Sequence, residues 1–219
     1  AQGLSADQPT ESLSDTVSRT GWLRSIGGVP AYLALQARNA EATIDGVHAA
    51  VAARELRVSP SVRGCIYIVP AADHALSLRV AEHISARRTE RDREKLGITL
   101  DELDVLGEAV IAAASRGGVT TAKLRSALPD GAVRSLGDAG KKIGITSTLP
   151  LALRQLEFAG QLERRPNDDR LDHERYVWTT SNVEVGRFDA SDAVALAFRY
   201  LAWAAPATRK EFAAWSGLS

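Results

Sequence analysis

The spacing of apolar residues changes at a single glycine, and that change limits the architectures open to the chain. Before Gly160, Leu149, Leu153 and Leu156 recur at helical spacing. After it, Gln161–Arg165 and Arg175–Thr179 read as two short strands around a polar turn from Pro166 to Asp172. Gly160 stands where a helix C-terminal cap belongs, because a residue without Cβ enters the left-handed region at little cost. A helix must therefore stop there and feed a hairpin.

Upstream of this point the pattern is helical. Thr99 with Glu102 three residues on has capping-box spacing, and Leu103, Leu106 and Val110 then share one side of a helix ending near Gly117-Gly118. Thr120 or Thr121 is placed to cap a short helix, Ala122–Leu128, stopped by Pro129. Residues Asp130–Thr146 read as a long loop carrying Arg134, Lys141 and Lys142. Ser147 or Thr148 is expected to cap the next helix, with Pro150 in its first turn and Arg154, Gln155 and Glu157 facing outward. Three helices followed by a hairpin with a charged tip is the order of a winged helix.

The flanking stretches repeat parts of this pattern. Ala31–Arg38 and Ile44–Glu55 read as helices, Val62–Val69 as a strand closed by Pro70, and Asp73–Ile84 as a further helix. Arg87–Lys95 alternates charges as a solvated helical linker does. Near the end, Ala190–Trp203 reads as a long helix with Val194, Ala197, Phe198 and Leu201 inward. Pro206 breaks it and Thr208 caps another helix. The fold class expected is mainly α with small β-hairpins, built of tandem winged-helix modules. The expected divisions are a disordered tail over 1–15, modules over 16–98 and 99–186, and the start of a third, incomplete module over 187–219.

Composition narrows function less than it narrows fold. Equal numbers of basic and acidic residues, 27 each, give no overall basic excess of the kind nucleic-acid binders usually show. Residues 117–180 hold ten Lys and Arg against eight Asp and Glu, so any basic stripe is local. No stretch is long and apolar enough to span a membrane, and Ala1–Asp15 lacks the apolar core of a signal peptide, so a cytoplasmic protein is expected. The single cysteine, Cys65, permits no disulfide within the chain and reads as a small buried strand residue. The four histidines lack metal-ligand spacing, and the glycines near Lys141 lack a P-loop ending, so neither metal nor cofactor is expected.

Three stretches, Val62–Pro70, Leu136–Lys142 and Pro206–Leu218, resemble the winged-helix DNA-binding proteins related to the AlkZ/YcaQ-like DNA glycosylases. The resemblance implies three winged helices around a DNA-sized concavity. It also implies a catalytic Gln-apolar-Gln or Gln-apolar-Asp triplet in the first module, where this chain has Gln36-Ala37-Arg38. Gln36 matches the first position. Arg38 stands where water would be activated, and a permanently charged guanidinium cannot accept a proton.

If the second module docks as winged helices usually do, Thr146 and Thr148 at the third helix's start donate to phosphate. Lys141 and Lys142 then track the backbone, Arg154 reaches a base edge or phosphate, and Arg164, Arg165 and Arg170 make the wing contacts. Asp168, Asp169 and Asp172 share that tip, so internal ion pairs compete with the wing reading. Arg63, beside Gly64, is a further groove-facing candidate. Double-stranded DNA is the expected partner, with a protein partner as the competing case. Three readings stay open: a DNA-binding protein, a DNA glycosylase, and a protein-interaction module that has lost DNA.

Overall fold

The computed structural model describes residues 11–218. Its first part contains α1 (Leu13–Thr20), β1 (Leu23–Arg24), α2 (Pro30–Gln36), α3 (Ile44–Ala52), β2 (Leu56–Pro60), β3 (Ile66–Pro70) and α4 (His74–Lys95). Then follow α5 (Leu100–Ala114), β4 (Val119–Thr120), α6 (Thr121–Ala127), α7 (Gly137–Ile143) and α8 (Leu149–Phe158). The last part holds β5 (Leu162–Pro166), β6 (Tyr176–Thr180), α9 (Ala190–Ala204) and α10 (Arg209–Ser216). The fold is mainly helical with small antiparallel hairpins, as the sequence pattern requires. No helix among the described residues is long and apolar enough to cross a membrane.

The order helix, strand, helices, hairpin occurs twice. Each occurrence closes a three-stranded sheet with the short first strand beside the last: β1-β3-β2 and β4-β6-β5. This is the arrangement of winged-helix modules. The chain divides into two compact units. One comprises residues up to Ile84, Arg165–Arg175 and those from Arg187 onward; the other comprises Ser85–Arg164 and Tyr176–Gly186.

In the first unit, several sequence expectations need revision. Residues 1–10 of the expected tail lie outside the described residues, but helix α1 already starts at Leu13, where Ser12 accepts the Asp15 N–H. The single strand expected over Val62–Val69 is half of a hairpin. Val62–Gly64 forms a tight turn with Arg63 at φ 58° and Gly64 at φ 67°, and the missed partner strand is β2. Cys65 follows this turn and is only half buried. The face of α9 expected inward is exposed: Val194, Phe198 and Leu201 face solvent, while Asp192, Leu196 and Trp203 are buried.

Polar anchoring explains that rotation of α9. Arg199 binds Asp73 at 2.7 Å, and Trp22 donates its Nε1–H to the other Asp73 oxygen at 2.8 Å. Arg79 grips Asp192 through two bonds, at 2.9 and 2.7 Å. Trp22 also packs 5.5 Å from Trp203 and 6.4 Å from Trp215, which brings three of the chain's four tryptophans together. Removing a partner from such a network leaves an uncompensated charge on the buried Asp73 or Asp192, so these pairs fix which face of α9 turns inward.

His74 in this unit gives a pH prediction. It is 4% exposed, and Arg57 Nη1 lies 3.4 Å from its Nδ1, so the arginine donates and the ring is neutral. Burial, reinforced by the Arg57 charge, lowers its pKa from 6.5 to about 4. The unfolded chain takes up this proton near pH 6.5, and the folded chain resists it down to about pH 4. The contribution is therefore complete above pH 6.5 and is lost as pH falls through that window, by about 3 kcal/mol. Urea midpoints should drop across this interval in the native chain and much less in His74→Gln; equal drops would rule out His74 as the cause.

The second unit is built on α5 and α8. Thr99 accepts the Glu102 N–H at 3.1 Å to start α5. Leu103, Leu106, Val110, Leu149, Leu153, Leu156 and Trp178 share one core. The long loop expected over 130–146 contains helix α7. Its base is pinned by Leu136 N–H to Thr146 O at 3.0 Å, Thr148 N–H to Arg134 O at 3.1 Å, and a bridge between Ser135 and Ser147. Gly140 permits this closure, since a Cβ there would lie 2.1 Å from the Ile145 carbonyl oxygen. Neither Ser147 nor Thr148 caps α8 with its side chain, contrary to expectation: both are buried, and Thr148 Oγ1 instead accepts the Arg134 N–H at 3.1 Å.

Candidate nucleic-acid interface

Within the first unit, α2 ends at Gln36, which is exposed. Leu35, one residue earlier, is fully buried, so its packing fixes the direction Gln36 takes. Arg38 turns back along its own helix and donates from Nη1 to the Ala34 carbonyl at 2.9 Å. Arg63 is exposed at the tip of the β2–β3 turn, where its left-handed conformation lifts the side chain off the sheet.

The polar tip between β5 and β6 belongs to the first unit, and its arginines are paired there. Arg165 binds Asp169 at 3.1 Å and lies 3.5 Å from the Ala52 carbonyl oxygen at the end of α3. Arg170 is clamped by Asp172 through Nε at 3.0 Å and a second, shorter bond. Hydrogen bonding from that guanidinium holds the Asp172 carboxyl at a pKa of about 2. Leu171 is buried, and its N–H donates to the Tyr32 hydroxyl at 2.8 Å; that hydroxyl also lies 2.8 Å from His48 Nε2. The tip is thus anchored on α2 and α3 through Leu171, while Asp168 and Arg170 stay exposed.

Within the second unit, Lys141 and Lys142 occupy the last turn of α7, both exposed. Lys141 pairs with the exposed Asp138 at 3.1 Å, and pairs of this kind contribute little. Thr146 is exposed, whereas Thr148 is fully buried. Arg154 sits on the outer face of α8, where desolvation and then the neighbouring charge of Arg164 lower its pKa. Arg134, read with the lysines as a loop cation, is bound bidentately to Glu102 at 2.8 Å through each nitrogen.

Arg164 is inside the structure. Its guanidinium makes two 2.6 Å bonds to Glu157 and lies 5.5 and 5.1 Å from the Tyr176 and Trp178 ring centroids. Burial works against its charge, but the Glu157 carboxylate and its hydrogen bonds prevail and raise the pKa. Glu157, expected to face outward, is the residue that sequence reasoning missed; it is 2% exposed. Its only sequence signal is one position's offset from Leu156 on the inward face, with an arginine seven residues downstream.

Of the sequence candidates, Gln36, Arg63 and Arg170 are exposed in one unit, and Lys141, Lys142, Thr146 and Arg154 in the other. Among the described residues, no group of three His, Cys, Asp or Glu could hold a metal ion. The family model "DNA glycosylase AlkZ-like" matches residues 26–219, nearly the whole chain. The chain belongs to this AlkZ-like family.

Among solved structures, the Streptomyces sahachiroi DNA glycosylase AlkZ superposes with a TM-score of 0.68 at 18% identity. The match covers 99% of this chain and 61% of that one, so this AlkZ-like chain spans less than two thirds of the protein it resembles. No curated protein matches it. At this identity the likeness establishes a shared fold, and the family model carries the membership.

Proposed function

We propose that this AlkZ-like chain binds duplex DNA and takes part in cleaving the N-glycosidic bond of a damaged base. The observation that carries the reading is the exposed Gln36 at the end of α2, in a chain whose family model is that of a glycosylase. A glutamine amide offers a donor pair and an acceptor, which suits it to hold a water or a sugar oxygen beside the bond to be broken. Arg38 supplies no base, so proton removal falls to the water's other neighbours or to the leaving base itself. Lys141, Lys142 and Arg63 serve as backbone contacts, with Thr146 and Arg154 as nearby polar donors. Arg164 acts as the internal partner of Glu157, while Arg165 and Arg170 pair with Asp169 and Asp172 at the tip.

We also read α9 and α10 as the opening helices of a third module after 187, following modules over 16–98 and 99–186. The exposed stripe of Val194, Phe198 and Leu201 supports this, because a further helix and hairpin of such a module would cover it.

Fluorescence anisotropy of a labelled duplex, intact or carrying an alkylated base, tests the binding. Affinity should fall steeply with salt, and the Lys141→Ala/Lys142→Ala double variant should reduce the salt slope by up to about 2. Detection of an abasic product, lost in Gln36→Ala, tests cleavage. A second reading, binding without bond cleavage, is favoured by Arg38; it predicts salt-sensitive binding with no abasic product from any lesion. No binding to either duplex at low salt would sink both.

A further inference from the structure

Beside Gln36 the first unit displays an apolar surface that the proposed function has not used. Ile26, Val29 and Leu33 are 53%, 60% and 58% exposed. The Leu33 N–H donates to the Val29 carbonyl at 3.1 Å, so the two stand one turn apart. Gln36 follows after the next turn, which places Val29, Leu33 and Gln36 on one side of α2, at i, i+4 and i+7. Ala31 and Leu35 hold the opposite side in the core. None of the four displayed residues carries a charge.

This surface is held in place from behind. Gly27 and Gly28 both have φ 68°, and the Gly28 N–H donates to the Asp172 carbonyl at 2.7 Å. Tyr32, on the same helix, accepts the Leu171 N–H at 2.8 Å. Two hydrogen bonds to Leu171 and Asp172 thus fix the loop and the helix that carry the apolar side chains. Exposed apolar groups on a mobile loop would lose ordering entropy on contact; here that loss occurs when the unit folds.

We propose that Val29 and Leu33, with Ile26 beside them, form a wedge that presses on the stacked bases of duplex DNA and opens the step next to Gln36. The inference rests on the DNA reading above. An uncharged face does not suit the phosphate backbone, while apolar side chains inserted between base pairs unstack them. Chemistry at a glycosidic bond requires access that an intact stack denies. The amide of Gln36, continuous with the wedge, then meets the base edge or sugar that the opening exposes.

The experiment uses the whole chain and a short duplex whose central step contains 2-aminopurine, with anisotropy recorded on the same samples. Binding of the native protein should raise the 2-aminopurine emission at least about threefold as the base leaves the stack. The Val29→Ser/Leu33→Ser variant should lose most of that rise, while its salt-sensitive binding changes by less than about fivefold, since phosphate contacts lie elsewhere. Both positions are exposed, and circular dichroism should confirm an unchanged fold. Binding without any rise in emission, or an equal rise in the variant, overturns the wedge and leaves the DNA reading standing. Failure of the native chain to bind removes both. Sedimentation tests the competing occupant: loss of self-association in the variant, with emission unaltered, would assign the face to a second copy of the chain.

Discussion

Gly160→Ala is expected to destabilise the second unit by about 4 kcal/mol and to lower its melting temperature by roughly 15 °C or more. Two effects add. Gly160 sits at φ 71°, just past the end of α8, and an alanine held there costs about 1 kcal/mol relative to glycine. The larger effect is steric: a Cβ would stand 2.1 Å from the Val183 carbonyl oxygen and 2.8 Å from Val185 Cγ2. Both contacts involve tightly held groups. The Val183 N–H donates to the Gly160 carbonyl at 3.2 Å, and Val185 is 5% exposed. The segment after β6 must therefore withdraw, breaking that bond and exposing Val185. Calorimetry of the variant checks this, and a melting temperature within a degree or two of the native value would refute the packing argument.

Glu157→Ala should cost about 3–5 kcal/mol, for a different reason. Arg164 is enclosed by Tyr176 and Trp178, and its two short bonds to Glu157 are what make its burial tolerable. Truncating the glutamate leaves a desolvated guanidinium facing a cavity. Truncating both ends removes the charge as well. Glu157→Leu/Arg164→Leu should therefore recover most of the loss, a double-mutant cycle with strong coupling. Denaturant unfolding of the two single variants and the double variant supplies the measurement. Additive losses would mean that the pair is exposed to water in solution and contributes as a surface ion pair does.

The sequence showed most clearly those features whose signal is local. The period change at Gly160, the Thr99 cap and the proline-opened α8 all depend on neighbours within a few residues, and all three stand in the structure. What escaped detection depends on partners far along the chain. Strand β2 was hidden because Leu56–Pro60 is short and follows a helix, and its pairing with β3 turns on the left-handed Arg63 and Gly64. The rotation of α9 was hidden because Asp73 and Arg79, which anchor it, lie over a hundred residues away. The candidate site divides along the same line. Exposure of Gln36 follows from local helix periodicity, whereas Lys141 and Lys142, expected in a loop, are exposed in the last turn of α7. The burial of Arg164 on Glu157 does not follow from periodicity, because nothing in a run of charges tells which will find a buried partner. The pairing of Arg165 and Arg170, by contrast, involves acidic residues of the same tip.

The polar tip between β5 and β6 has a consequence for the order in which the molecule is made. Its residues Arg165–Arg175 are packed with segments that precede Ile84, and those from Arg187 onward join the same unit. A ribosome delivers α1, α2 and α3 long before it delivers Leu171, whose N–H meets Tyr32, or Arg199, whose guanidinium neutralises Asp73. The second unit also contains residues beyond the tip, Tyr176–Gly186, so neither unit is a continuous stretch of chain. Until about residue 200 has emerged, the first unit lacks Arg199, the charged partner of its buried Asp73, and its early helices must wait in a partly open state. The nascent chain should accordingly remain sensitive to protease within residues 20–50 late into synthesis, and become resistant in a single step once α9 is released.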